Sequence, residues 1–254
     1  ETEARPRAIY ILRYTFLVFA IFLAWCLAFF TRLEWVPVAK GNQLMQWESN
    51  LLPTTHDSYV YLSVIQQNTN RDQSGEGLKN HPKKNDYGAL TDIGVLVCRH
   101  SNISPMIFAI YFPAIMAGVI SIPIVLIGRL YGSTLSGFGA ACLTVLGSSY
   151  FSRSMAGYLD TDLFATLLPA FIIYFILYHD KKESKLALYM ASLTVTLFPY
   201  FYSSGVPIAT AIVISYIALL WFRYYLRKEP YKDDQLSSLH ANSVVLCVSA
   251  ALSP

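Results

Sequence analysis

Charge and cysteine are both scarce in this sequence. Asp, Glu, Lys and Arg make up only 14% of the 254 residues, against 54% hydrophobic and 15% aromatic, and the mean hydropathy is +0.41. Soluble domains carry roughly a quarter charged residues, so the balance argues against one and points to a membrane protein. The formal net charge of +3 is small, and the basic residues sit in short groups beside apolar runs. That excludes the continuous basic patch a nucleic-acid partner requires. The cysteines, Cys26, Cys98, Cys142 and Cys247, show no Cys-x-x-Cys spacing. Three of them lie inside apolar runs, where a thiol packs as a small hydrophobe, so neither a zinc site nor a disulfide framework is indicated. There is no internal repeat, and no small-residue cleavage pattern follows the first apolar run. Residues 9–30 therefore read as a retained span, not a signal peptide.

Long apolar runs are what the sequence does have. A hydrocarbon core of about 30 Å takes about 20 helical residues, and six runs approach that size: 9–30, 106–127, 135–151, 163–178, 186–202 and 206–222. The second contains Pro113 and Pro123, which kinked spans tolerate. A further apolar run over 244–252 stops at Pro254, so the sequence reads as the first part of a longer chain. Basic residues alternate as real spans require. Arg5, Arg7, Arg13, Arg129, Lys181, Lys182, Lys185, Arg223, Arg227, Lys228 and Lys232 fall on one side, while the opposite short connections hold only Arg153. The positive-inside rule then puts the N-terminus in the cytoplasm. The expected fold is all-α, a polytopic transmembrane helical bundle, because the runs are helix-length and a backbone in lipid must satisfy its own hydrogen bonds.

Residues 31–105 form a long outer connection, and such loops are usually functional. Trp35, Trp47, Tyr59 and Tyr61 suit a segment at the headgroup level. Residues 66–92, rich in Asn, Lys, Gly and Asp, predict a flexible surface excursion.

Two acidic clusters lie at the predicted membrane edge, where carboxylates are costly unless paired, hydrated or metal-bound. One is Thr55-His56-Asp57-Ser58-Tyr59, the other Gly157-Tyr158-Leu159-Asp160-Thr161-Asp162. Two spans separate them, so both face the same aqueous compartment. Carboxylates converging there would make a hard oxygen site for Mg or Mn, ions that neutralise a pyrophosphate leaving group. By residue type alone a structural role is the more common one. Asp160 or Asp162 would cap the fourth span and Asp57 a short helix starting at Ser58, while His56 would be an ordinary interfacial histidine. Arg153 would pair with an acidic neighbour or a lipid phosphate.

The segment Ser152-Arg153-Ser154-Met155-Ala156-Gly157-Tyr158-Leu159-Asp160-Thr161-Asp162 resembles the second DXD motif of the oligosaccharyltransferase catalytic-subunit family, and is most similar to its bacterial single-subunit members. Thr55-His56-Asp57 with Tyr59 stands where that family carries its first, degenerate DXD motif, with Thr55 in the leading acidic position. The resemblance covers essentially the whole chain and implies a GT-C-type glycosyltransferase membrane domain. It implies that Asp57 and Asp160 bind a divalent cation, Mn or Mg, that Asp57 also lies near the acceptor asparagine amide, and that Asp162 supports the second cluster. Arg153 matches the family's activity-linked arginine. The turn Tyr202-Ser203-Ser204 falls where the family meets its lipid-linked oligosaccharide, or is a tight connection closed by Gly205.

The family also has a metal-binding glutamate in a later external loop and a WWDYG motif in a C-terminal soluble domain, both missing from these residues. The expected activity is transfer of a glycan from a polyprenyl-pyrophosphate carrier to the asparagine of an Asn-X-Ser/Thr acceptor protein, at the periplasmic face of a bacterial inner membrane, with a site this chain alone leaves incomplete. Two alternatives stay open: another membrane glycosyltransferase using polyprenyl-phosphate sugars, or a transport or assembly subunit. Against the last, no carboxylate lies centrally within the six runs.

Overall fold

The computed structural model describes residues 4–47, 50–70 and 88–226. The run over 244–252, Cys247, Arg227, Lys228 and Lys232 lie outside the described residues. Helix dominates: α1 (Ala4–Leu33), α2 (Trp35–Lys40), α3 (His56–Asn70), α4 (Gly88–Ser101), α5 (Pro105–Ala117), α6 (Ser121–Leu130), α7 (Thr134–Leu146), α8 (Ser148–Ser152), α9 (Asp162–Lys182), α10 (Lys185–Phe201) and α11 (Gly205–Leu226). Among the described residues the one sheet is a small antiparallel ribbon of β1 (Gln46–Trp47) and β2 (Asn50–Leu51).

Among the described residues four stretches are long and apolar enough to cross a membrane: Ile11–Lys40, Pro105–Leu130, Asp162–Lys182 and Gly205–Arg223. They overlap the apolar runs at 9–30, 106–127, 163–178 and 206–222. The runs at 135–151 and 186–202 fall on shorter helices, α7 with α8 and α10. Side chains such as Phe16, Phe19 and Phe22 on α1 and Ile214 and Phe222 on α11 are exposed, as a lipid-facing surface requires. The expected excursion over 66–92 is corrected at both ends: α3 continues to Asn70 and α4 begins at Gly88. α3 is helical because Ser58, Leu62 and Ile65 bury one face at helical spacing.

The chain divides into two compact units, Glu1–Leu163 and Phe164–Pro254. In the first, Ala20, Ala24 and Ala28 recur every fourth residue along α1, and all three are buried. Ala20 and Ala24 pack with Leu17, Val125 of α6 and Ala141 of α7. Small residues matter here because helices in lipid associate through close van der Waals packing, without a hydrophobic driving force. α6 and α7 meet backbone to backbone, since a Cβ on Gly128 would stand 2.3 Å from the Gly137 Cα. A 3-10 turn, Gly118–Ile120, joins α5 to α6, and the Ile115 carbonyl just before it accepts from the Trp25 indole at 3.0 Å.

The second unit is built on α10 and α11 with the later part of α9. Ile172, Ile176, Leu188, Val195, Phe198 and Val213 are among its buried core. An Arg223–Asp180 ion pair at 2.8 Å joins α11 to α9.

Candidate functional site

α3 begins one residue before the first acidic side chain, and its cap is Thr55. The Thr55 Oγ1 accepts from the Ser58 amide at 3.3 Å and lies 2.6 Å from the Ser58 Oγ, an N-cap bond. The expectation that Asp57 caps a helix starting at Ser58 is thereby corrected. Asp57 stands in the first helical turn, where the positive end of the helix dipole favours a carboxylate, and its side chain is 69% exposed. The fully open His56 ring is 3.9 Å away. Thr55, in the position where an acidic ligand was expected, spends its oxygen on starting the helix.

The second acidic segment is irregular from Arg153 to Thr161, between α8 and α9, and is tied to the first through Gly157. The Gly157 carbonyl accepts from the Thr54 amide at 2.9 Å and from the Ser58 hydroxyl at 3.3 Å, while its amide donates to Ile110 of α5 at 2.9 Å. Gly157 sits at φ +85°, a conformation costly for residues with a Cβ. An added Cβ would also press on Thr54 and Trp35 at 3.2 and 3.3 Å. Beneath this staple Val36, Leu51, Ile110 and Ala156 share a buried cluster.

The staple brings the two acidic clusters into one electrostatic neighbourhood. Tyr61, one helical turn beyond Asp57, shares a hydrogen bond with Thr161, between Asp160 and Asp162. Burial raises the Tyr61 hydroxyl above its ordinary pKa, as do the charges of Asp160, Asp57 and Asp162, against the Thr161 bond. Tyr158 is raised by burial and by the same three carboxylates, with Arg153 opposing. Asp160 is 8% exposed, and burial lifts its carboxyl above the usual carboxylate range. Asp162 and Asp57 lift it further, while two bonds from Thr161 oppose. Those bonds run from the Thr161 amide at 2.5 Å and hydroxyl at 3.3 Å to Asp160 Oδ1. Asp160 thus holds its own neighbour, one residue on, and not an amide inside the helix.

Asp162 is the first residue of α9, and Arg153 reaches it at 3.0 Å. An exposed pair of this kind contributes about 0.2–1 kcal/mol, so its effect is to orient two side chains more than to stabilise the fold. Of the three carboxylates, Asp162 is the one paired with Arg153. Among the described residues no group of three or more His, Cys, Asp or Glu side chains is arranged to hold a metal ion. Cys26, Cys98 and Cys142 are free thiols.

Tyr202, Ser203 and Ser204 belong to the second unit. They form the tight turn between α10 and α11, with the Tyr202 amide donating to Phe198 at 2.9 Å and the Gly205 amide to Tyr202 at 2.8 Å. Ser203 and Ser204 are exposed. Gly205 is buried against the end of α10, where a Cβ would meet Phe198 and Pro199 at 3.0 Å.

Sequence reasoning missed the Ser58–Gly157 bond, the staple role of Gly157, the Tyr61–Thr161 bond and the buried Arg32. Tyr61 follows Asp57 by four positions, a spacing that shares a helix face once α3 is recognised. Arg32 was recognisable as a cation immediately beyond an apolar span.

Residues 91–252 match a family model described as Oligosaccharyl transferase STT3, N-terminal. Over 244 residues, 94% of this chain and 33% of the relative, the sequence is 26% identical to an undecaprenyl-diphosphooligosaccharide–protein glycotransferase of Campylobacter jejuni. It is 27% identical over 200 residues to a dolichyl-phosphooligosaccharide-protein glycotransferase of Methanococcus voltae, covering 68% of this chain and 20% of that one. The chain thus spans about a third or less of the length of these curated relatives. The archaeal oligosaccharyltransferase AglB of Archaeoglobus fulgidus, solved with an inhibitory peptide and a dolichol-phosphate, shares the fold at a TM-score of 0.67 and 16% identity, over 94% of this chain and 29% of that chain.

Proposed function

The chain belongs to the STT3 family of oligosaccharyl transferases, and from that premise we propose that it forms the membrane part of an enzyme transferring a glycan from a polyprenyl-pyrophosphate carrier to an acceptor asparagine. The observation that carries the proposal is the convergence of Asp57 with Asp160 and Asp162 around the Gly157 staple. The names of the bacterial and archaeal relatives support the reaction class. A bond forms between the asparagine side-chain nitrogen and the anomeric carbon of the glycan. The bond from that carbon to the pyrophosphate oxygen breaks, its electron pair leaving with the pyrophosphate, and the nitrogen's proton passes to water.

Asp57, open to solvent on the first turn of α3, accepts an N–H of the acceptor amide and holds the nitrogen toward the sugar. Its charge is matched to positive charge developing on that nitrogen in the transition state, the differential stabilisation that accelerates a reaction. Arg153, held by Asp162, carries a guanidinium suited to the pyrophosphate. The exposed Ser203 and Ser204 beside Tyr202 would bind the lipid-linked oligosaccharide.

A divalent cation, Mn or Mg, belongs to this reading. The donors fit in kind, since carboxylate oxygens are what such hard ions take, and Asp57 and Asp160 would hold it. They are two ligands, so water, the pyrophosphate or further carboxylates would fill the remaining positions. Bound there, the ion would supply neutralisation of the charge on the departing pyrophosphate.

The placement of Lys and Arg and the Campylobacter relative support an inner-membrane setting with the N-terminus cytoplasmic and the acidic site periplasmic. The test uses the protein expressed from its complete reading frame, in liposomes with lipid-linked oligosaccharide, Mn and a fluorescent Asn-X-Thr peptide. The expected result is a glycopeptide that EDTA and Asp160→Ala both abolish. Transfer to a lipid or to Ser/Thr would assign the chain to a different glycosyltransferase, and unaltered transfer in Asp160→Ala would remove the proposed site.

A further inference from the structure

Arg32, near the end of α1, has no solvent exposure at all, yet no carboxylate pairs with it among the described residues. A buried guanidinium is costly in a membrane protein, so what satisfies it is informative. Its NH1 donates to the Ala28 carbonyl at 3.0 Å and its NH2 to the Val145 carbonyl at 2.9 Å. Val145 is the penultimate residue of α7, so the guanidinium sits at the negative end of that helix's dipole. The rings of Tyr150 and Phe151 lie 5.4 and 4.9 Å from its centre, within cation–π range. The remaining bond is the telling one: Nε donates to the Ser154 Oγ at 2.8 Å, and that hydroxyl in turn donates to the Tyr150 carbonyl at 2.5 Å. Ser154 is itself fully buried and directly follows Arg153.

The irregular segment from Arg153 to Thr161 is therefore pinned at three places: Ser154 by Arg32, Gly157 by Thr54, Ser58 and Ile110, and Thr161 by Tyr61. The last two pins join neighbouring parts of the acidic site. The first runs to α1 and fixes the end of the segment that carries Arg153. From this geometry we infer that Arg32 is a positioning residue for the transfer reaction: through Ser154 it sets the backbone from which Arg153 reaches Asp162. The inference rests on the proposed glycosyl transfer for its kinetic consequence, but its structural content stands independently of it. A guanidinium suits this place because its planar fork reaches three acceptors in different directions at once; a Lys ammonium in the same place reaches fewer of them.

The test uses the complete enzyme in nanodiscs with two readouts, kinetics normalised to folded protein and hydrogen–deuterium exchange. Ser154→Ala leaves both carbonyl bonds of Arg32 in place and removes the Ser154 hydroxyl's two bonds, to Arg32 and to the Tyr150 carbonyl, so it avoids the folding risk of removing a buried cation. Ser154→Ala and Arg32→Lys should each lower kcat about tenfold, with the peptide KM within about twofold of wild type, and the double variant should be no worse than the poorer single one. Amides over 155–159 should exchange about tenfold faster in both, while the α10–α11 core keeps its protection. Wild-type kcat per folded molecule in Ser154→Ala, losses that multiply in the double variant, or unchanged exchange over 155–159 would each overturn the inference. If the wild-type protein transfers no glycan to asparagine, the functional reading fails and the exchange arm alone decides whether Arg32 holds the segment.

Discussion

Asp57 and Asp160 carry the same carboxyl group in opposite settings. Asp57 projects from a capped helix with 69% of its side chain in solvent, while Asp160 is 8% exposed and has its acidity weakened by burial and by two neighbouring acids. An exposed carboxylate keeps its charge at little cost and can meet an incoming substrate. A buried one is under tension that a cation or a proton relieves. In the proposed site the two would divide the work, Asp57 receiving a ligand from outside and Asp160 supplying negative charge from within the fold.

The sharpest way to break this contrast is to neutralise each acid separately. Asp57→Asn and Asp160→Asn should each reduce kcat/KM about 10²–10³-fold, the loss typical when one preorganised electrostatic group is removed, measured by glycopeptide formation with the complete enzyme. Their stabilities should diverge. Asp57→Asn should leave Tm nearly unchanged, since exposed substitutions mostly stay within about 0.5 kcal/mol, whereas Asp160→Asn should raise Tm in cation-free buffer by relieving a buried charge. Equal Tm values for the two variants would mean their environments do not differ as described.

A smaller effect probes the joint between the two settings. Gly157→Ala imposes a Cβ at φ +85° and against Thr54 and Trp35. The left-handed backbone alone costs roughly 1–2 kcal/mol, which for a chain of this size lowers Tm by about 2–4 °C per kcal/mol. Because Gly157 also receives Thr54 and Ser58, activity should fall further than stability alone accounts for. A variant with lowered Tm but full activity per folded molecule would show that the staple supports the fold and not the site.

The helices that cross or could cross a membrane were legible because apolar runs of the right length admit few other structures. α4 was not, and α3 was legible only as a short helix from Ser58, because neither is a continuous apolar run of about 20 residues. α3 mixes Asp57, Ser58, Gln66 and Asn68 with a half-apolar face of Leu62 and Ile65, a pattern that reads as loop when only continuous hydrophobicity is counted. Counting spans was enough to place both acidic clusters on one side. The means of their meeting was out of reach: Gly157 bonds to Thr54, Ser58 and Ile110 are backbone and hydroxyl contacts with partners distant in sequence, for which residue type carries almost no signal. Thr55 looked like a degenerate acidic position, while its observed use is a helix cap, an assignment that depends on first recognising α3. Arg32 stands two residues beyond the apolar run 9–30, and residue type does not distinguish a buried guanidinium from a solvated one at a span's end.

The smallest predicted effect follows from the sign of the Asp160 shift. A carboxyl whose folded-state pKa lies above its unfolded value binds its proton more tightly when folded, so stability falls as pH rises from the ordinary Asp range, about 3.9, through the raised folded value, and the loss is constant above it. Asp160→Asn removes this dependence. The Tm difference, variant minus wild type, should therefore be positive at neutral pH and shrink as pH falls toward the unfolded value, whatever the remaining carboxylates do, because they titrate in both proteins. The difference is read as Tm on the purified protein in EDTA across that pH range. If added Mn abolishes the Asp160 difference by lowering the cost of the buried charge, the tension belongs to the cation site; a difference that stays flat across pH would place the origin of the Tm change in packing instead of charge.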